Sequence, residues 1–154
     1  MSRIFLPLLL AAPLFLTGCW GSGVAKDTKS RSEAFAEVIG FSAPPSATNI
    51  ESSWYFLRDS YIRWLRFSCD ELTLSKIRAL KGAKVPAMRA DPSPGASGHG
   101  SNPNAPAWWT KAAVSPQHLE EMEIDASRTN ESDVVHIWID KKTRTVYATR
   151  SVSN

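Results

Sequence analysis

The chain has 154 residues, of which 43% are hydrophobic, and it carries a formal net charge of +3. This length suits one domain with a modest core rather than several domains. The weak positive charge is not gathered into a basic block, which argues against a nucleic-acid partner. Only two cysteines are present, so a scaffold held by several disulfides is excluded and stability must come from packing.

The N-terminus carries an apolar run that ends in a cysteine. Arg3 supplies a positive charge, residues 4–16 are apolar with two interrupting prolines, and the box Leu16-Thr17-Gly18-Cys19 closes the run. The run is shorter than the roughly 20 residues that a membrane-spanning helix needs. The pattern resembles the signal of bacterial lipoproteins, which implies lipidation of Cys19, cleavage before it and a mature chain that starts there.

The same resemblance implies a location. In that family the cysteine carries a diacylglycerol and usually a third acyl chain, and several chains hold a protein durably at a membrane. Trp20 stands where aspartate often retains such proteins in the inner membrane, which favours the periplasmic side of the outer membrane in a two-membrane cell. We therefore expect a signal peptide over residues 1–18, a lipidated polar tether over residues 19–29 and one globular domain over residues 30–154.

A short helix is predicted over residues 31–39, the first element of that domain. Ser30 and Glu33 have the spacing of a capping box, in which the serine oxygen accepts from a backbone amide and the glutamate reaches back. Gly40 suits the C-terminal cap. Apolar residues recur on one side of these turns, so we expect the helix to pack on a core.

Two β-rich runs, residues 50–58 and 61–69, flank the turn residues Asp59-Ser60 and predict a hairpin. Neither alternating face of the second run is cleanly polar, so both faces of that strand are expected to be at least partly covered. Ser68 and Glu71 repeat the capping-box spacing and predict a second helix directly after the hairpin.

The second half of the chain starts with residues 83–106, which are rich in proline, glycine and serine and predict a long surface loop. Ser115-Pro116 suits a helix start, so residues 117–123 are predicted to supply about two helical turns. Residues 134–139 and 145–150 then predict a terminal hairpin.

Together these elements predict an α+β fold, with a small antiparallel sheet built from the two β-hairpins and two or three short helices on one face. In the terminal hairpin, Val135, Ile137 and Ile139 are expected to share one face of the sheet. His136 and Trp138 are expected to share the other.

Two short motifs carry a further resemblance. Pro44-Pro45-Ser46-Ala47-Thr48-Asn49 precedes the first hairpin, and Trp138-Ile139-Asp140 with Thr145-Val146-Tyr147 flanks the last turn. A Trp-Trp loop lies between them. This order is similar to that of a group of bacterial lipoproteins and secreted proteins of uncharacterised activity, so it implies an envelope location and no particular chemistry.

Catalytic and metal-binding chemistry has little support in the sequence. Cys69 with His136 or His118 has the residue types of a thiol–imidazole pair, but two acidic residues directly follow the thiol and raise its pKa. A small buried hydrophobe is the better interpretation of Cys69. His118 and Glu121 have helical spacing for one face, but zinc sites take three or four ligands. We therefore expect no enzyme activity, no metal and no cofactor.

The aromatic residues are the stronger candidates for function. Six tryptophans are many for this length, and we name Trp64, Trp108 and Trp109 with Arg66 as candidate binding residues. Such rings stack on sugars and partner proteins. The alternative is that the tryptophans fill the core and the arginines lie over their rings. Adjacent Trp108 and Trp109 do not easily bury in one direction from an extended segment, so at least one is expected at a surface.

The sequence thus predicts a non-enzymatic, lipid-anchored envelope protein that presents a small binding or structural domain at the membrane surface. Its candidate partners, besides the membrane itself, are an envelope protein or a cell-wall polymer. Two alternatives stay open. One is a subunit of a larger envelope assembly that buries the aromatic face permanently, and the other is a small enzyme with an unrecognised site.

Overall fold

The computed structural model describes residues 20–25, 27–86, 103–110 and 114–154, so the predicted signal peptide and Cys19 lie outside the described residues. Within these ranges the chain forms one seven-stranded antiparallel sheet in the order β1-β2-β3-β7-β6-β5-β4. The strands are β1 Trp20–Val24, β2 Thr48–Leu57, β3 Ser60–Ser68, β4 Ala83–Lys84, β5 Leu119–Asp125, β6 Ser132–Asp140 and β7 Thr145–Ser153. The α-helices are α1 Thr28–Ile39, α2 Glu71–Arg78 and α3 Ala107–Thr110.

The predicted mixture of helices with an antiparallel sheet is confirmed, although strands dominate the fold. Both predicted hairpins are present, as β2–β3 and β6–β7. They become neighbours because β3 pairs with β7 over nine residue pairs. The sheet is larger than two hairpins, since β1 extends it on one side and β5 with β4 on the other.

The helix predicted over residues 117–123 is wrong. Pro116–His118 form a single 3₁₀ turn, and the chain then continues as β5. Proline at the first helical position starts a turn, but it does not extend one. β5 forms seven residue pairs with β6, and this pairing satisfies backbone groups along an otherwise open edge of the long terminal hairpin.

The predicted tether, residues 19–29, differs from the structure. Five of its residues form the edge strand β1, which pairs with β2 from Trp20↔Leu57 to Val24↔Ser53. Gly23 permits this pairing, because a Cβ there would lie 2.5 Å from Nε1 of Trp54. The indole therefore lies directly across the glycine backbone, and the segment belongs to the domain.

Two helix starts also differ from the predicted capping boxes. The N-cap of α1 is Asp27, whose carboxylate accepts from the backbone N–H of Ser30 at 2.8 Å, so Ser30 lies inside the first turn. The N-cap of α2 is Asp70, which accepts from the N–H of Thr73 at 2.8 Å, rather than Ser68. Gly40 caps α1 in the left-handed conformation, as predicted.

The loop predicted over residues 83–106 is only partly within the described residues. Its first two residues form β4, which pairs with β5 through Ala83↔Ile124 and Lys84↔Glu123. Residues 87–102 lie outside the described ranges. Among the described residues, no helix is both long and apolar enough to cross a bilayer.

α1 and α2 cover one face of the sheet, which we call the helix face. Its core includes Phe35 and Leu74 from the helices and the predicted trio Val135, Ile137 and Ile139 from β6. The opposite face, which we call the tryptophan face, carries Trp64, Trp109 and Trp138. The alternation predicted for β6 is therefore confirmed. Two helices share the helix face, within the predicted two or three, and α3, which the sequence did not predict, packs on the tryptophan face.

A partly buried ion pair connects α1 to the sheet. Arg150 donates to both carboxylate oxygens of Asp133, at 2.9 and 2.7 Å, and its third nitrogen donates to the backbone carbonyl of Glu37 at 3.0 Å. The paired carboxylate raises the pKa of Arg150, so this guanidinium stays charged. Two-pronged geometry of this kind is stronger than a simple surface ion pair.

We expect Gly23→Ala to lower the free energy of unfolding by about 1–3 kcal/mol, because the new methyl group collides with Trp54 and forces the edge strand away. Gly21→Ala is the matched control, since its Cβ would meet the same indole at 3.5 Å, an ordinary contact. Urea denaturation and hydrogen exchange at the β1 amides measure the difference. Equal effects of the two substitutions would contradict this account of β1.

Candidate functional site

The tryptophan face is organised around three indoles, Trp64, Trp109 and Trp138, each 0% exposed. Trp64 lies on β3 and Trp138 on β6, with β7 between them, and α3 supplies Trp109 from above the sheet. Large aromatic side chains contribute most of the buried area in a small core. The cluster therefore holds α3 on the sheet.

Trp109 is the centre of this cluster. Its ring makes edge-to-face contacts with Trp138 at 5.5 Å, Trp108 at 6.2 Å and Tyr147 at 6.3 Å between centroids. Consecutive residues of a helical turn point about 100° apart. The two adjacent tryptophans therefore diverge, Trp109 into the sheet and Trp108 along the surface, where it is only partly buried. This is consistent with the expectation that at least one of them lies at a surface.

Arg66 lies over the ring of Trp108, with its Cζ atom 5.4 Å from the ring centroid. The same guanidinium forms an ion pair with Glu51 on β2, and Arg66 is paired in register with Tyr147 on β7. Burial raises the pKa of that tyrosine, so its hydroxyl stays protonated at neutral pH. Arg66 is thus held in one position by groups from both neighbouring strands.

The four candidate binding residues, Trp64, Arg66, Trp108 and Trp109, therefore lie in one cluster. Sequence reasoning did not associate Trp138, Tyr147 and Glu51 with them. The alternation of β6 already places Trp138 on the face opposite Ile137. Its neighbours depend on the pairing of β3 with β7, which joins distant parts of the chain and leaves no local signal.

A polar hollow of about 450 Å³ opens beside Arg66. It is formed where the pairing of β2 with β3 is interrupted between Thr48 and Glu51, and Asn49 at this bulge has a positive φ of 52°. Besides the guanidinium, the hydroxyls of Ser68, Thr145 and Tyr147 contribute to its lining. The hollow thus combines charged and hydroxyl-bearing residues, and it meets the aromatic cluster through Arg66 and Tyr147.

The indole N–H groups of Trp64, Trp109 and Trp138 are buried, and no described residue accepts a hydrogen bond from them. The hydroxyl of Thr149, paired in register with Trp64, is likewise buried and without a described partner. Each unsatisfied buried group costs about 1–3 kcal/mol. These groups reduce the stabilisation that the apolar area of the cluster would otherwise give.

The candidate thiol–imidazole pair of Cys69 and His136 is not assembled. Cys69 is a free thiol in the core of the helix face, whereas His136 stacks on Trp138 at 5.7 Å on the opposite face. Burial, and then the charges of Asp70 and Glu71, raise the pKa of Cys69 to about 11, so it is a neutral thiol at physiological pH.

The candidate metal ligands do not form a centre either. His118 ends the 3₁₀ turn and Glu121 lies in β5, so the two do not share a helix face. Within the described ranges no three histidine, cysteine or carboxylate side chains are grouped closely enough to hold a metal ion.

Comparison with known proteins gives no relative. The chain matches no protein-family model, no curated protein and no solved structure. The function must therefore be argued from the geometry.

We expect the buried thiol to make folding sensitive to alkaline pH. Its pKa is about 11 in the folded chain against an ordinary 9.0, so the unfolded state loses the proton first. The protonated thiol contributes its full stabilisation below pH 9. The free energy of unfolding then falls by about 2 kcal/mol between about pH 9 and pH 11. Urea denaturation across this range measures the loss, and Cys69→Ala should reduce it, while Tyr61 and Tyr147, whose pKa values burial also raises, account for the remainder. Fast alkylation of the folded protein at neutral pH would contradict a buried, protonated thiol.

Proposed function

We propose that this chain is a lipid-anchored envelope protein, held at the membrane through Cys19, that binds a cell-wall polymer through Trp108 and Arg66 without catalysing a reaction. The observation that carries the binding half is that Arg66 lies over the ring of Trp108 and also lines the polar hollow. The lipoprotein signal box at residues 16–19 supports the anchoring half.

Anchoring follows from the chemistry of the box. Each methylene of an acyl chain that enters the bilayer contributes about 0.8 kcal/mol, so two or three chains on Cys19 suffice to hold the domain at the membrane. No further apolar segment is needed for this.

Binding is supported by how firmly Trp108 is held. The indole rests edge-to-face on buried Trp109 and is covered on one side by a guanidinium that is itself paired with Glu51. A side chain that is already ordered loses little conformational entropy when a partner arrives. Tryptophan and arginine are also the residues that most often dominate binding energies.

The surroundings of Trp108 suggest the class of partner. An indole face stacks on the apolar side of a sugar ring, while the hydroxyls of Ser68, Thr145 and Tyr147 can bond to sugar hydroxyls. Arg31, which also lines the hollow, adds a positive charge for anionic groups of the polymer, because Glu51 balances the charge of Arg66. An envelope protein could use the same surface, and the experiment below distinguishes the two.

Acylation tests the anchoring half. Metabolic labelling with a palmitate analogue should mark the wild-type protein and Cys69→Ala, which retains the signal box, and should leave Cys19→Ala unmarked. The labelled protein should float with membranes after density centrifugation. Equal labelling of Cys19→Ala would show that the lipid, if any, is attached elsewhere.

Co-sedimentation with purified peptidoglycan sacculi tests the binding half. We expect Trp108→Ala to weaken binding at least tenfold, about 1.4 kcal/mol. Leu72→Ala, at an apolar residue of α2 that is 67% exposed, should leave binding unchanged. Urea denaturation of both variants verifies that they fold.

Two outcomes would contradict this proposal. The first is equal binding by Trp108→Ala and the wild type. The second is no binding by the wild type together with photocrosslinking of position 108 to a protein in intact cells, which would identify an envelope protein instead.

A further inference from the structure

β1 begins at Trp20, the residue directly after Cys19, and this residue lies at one end of the sheet. Trp20 pairs with Leu57, Leu57 with Ser60 and Ser60 with Ser153, so these four residues form a row across the sheet at this end. Consecutive Cα atoms are 3.8 Å apart, so Cys19 is one peptide unit from this row. Any lipid on its sulfur therefore leaves the domain at this end, with no spacer between them.

This end of the sheet carries an apolar hollow of about 250 Å³. Tyr55, Leu57, Ile62 and Val152 contribute to its lining, and every residue around it is uncharged. Leu57 is 44% exposed at its rim. The polar hollow beside Arg66 differs, because arginine and glutamate side chains line it.

The turn that closes the β2–β3 hairpin lies at the same end. Arg58 and Asp59 are exposed there, so charges of both signs border the apolar hollow. Apolar and tyrosine side chains bordered by charged groups match the boundary between acyl chains and headgroups in a bilayer.

On the premise of the lipid anchor proposed above, we propose that this end of the sheet rests on the bilayer surface, with its apolar hollow filled by membrane lipid. The short connection is the reason for choosing lipid as the occupant. A domain joined to its acyl chains without a spacer experiences the membrane at very high effective concentration. Even a small apolar surface is then sufficient to dock.

The docking has a consequence for the proposed binding surface. Strands rise about 3.3 Å per residue, and Arg66 is six residues along β3 from Ser60, so the Arg66–Trp108 stack lies roughly 20 Å from the docked end. The orientation would therefore hold the stack away from the headgroups, toward the cell wall.

A fluorescent probe in reconstituted vesicles tests the orientation. The full-length acylated protein, in a Cys69→Ala background, carries an environment-sensitive label at either Leu57→Cys or Leu72→Cys. The two positions are both exposed and apolar, and Leu72 lies on α2, away from the docked end. Vesicles contain phosphatidylethanolamine and phosphatidylglycerol, with and without lipids that bear a spin label near the headgroup.

We expect the emission of the label at position 57 to shift to the blue on reconstitution and to be mostly quenched by the spin-labelled lipid. The label at position 72 should show neither change. Equal quenching at both positions, or none at position 57, would overturn the docking. A blue shift of the label at position 57 without vesicles, increasing with protein concentration, would also overturn the docking, because a second copy of the chain would then cover the hollow.

Mass spectrometry of the N-terminal peptide separates this proposal from the one it rests on. Absence of acyl chains on Cys19 would remove the anchor and the docking together. Acylated, vesicle-bound protein with an unquenched label at position 57 would remove the docking alone.

Discussion

The pairing of β3 with β7 is the interaction on which the rest of the molecule depends. It joins two hairpins that are far apart in the chain, and it does so over nine residue pairs. On the helix face it brings Leu65 to Ala148 and so builds the core under α1. On the tryptophan face it brings Arg66 to Tyr147 and so orients the guanidinium for Trp108. Both faces of the domain depend on one strand register.

On the proposed function, the tryptophan face combines a structural role with a binding role. Trp109 is fully buried and attaches α3 to the sheet, whereas its neighbour Trp108 remains at the surface over a fixed partner. One residue thus supplies stability and the next supplies a rigid contact surface. On this proposal, the two interpretations of the tryptophans, as core or as binding residues, apply to different members of the same cluster.

The two ends of the sheet are chemically different, and this gives the proposed anchor a direction. The end where β1 begins is apolar around Leu57, while the bulge near Asn49 opens a polar hollow toward the other end. A lipid attached directly before Trp20 would make the apolar end face the membrane. The β1 pairing matters here because a flexible tether would have left the orientation free.

Local patterns in the sequence determined both hairpins, the helix that ends at Gly40 and the alternation of Ile137 and Trp138, because turn residues and side-chain period act over a few residues. The tertiary structure alone decided that residues 119–125 are a strand and that residues 20–24 join the sheet, since each depends on a partner strand elsewhere in the chain. The binding cluster divides in the same way. Its tryptophans are evident from composition, but only the register of β3 against β7 places Tyr147 and Trp138 beside them.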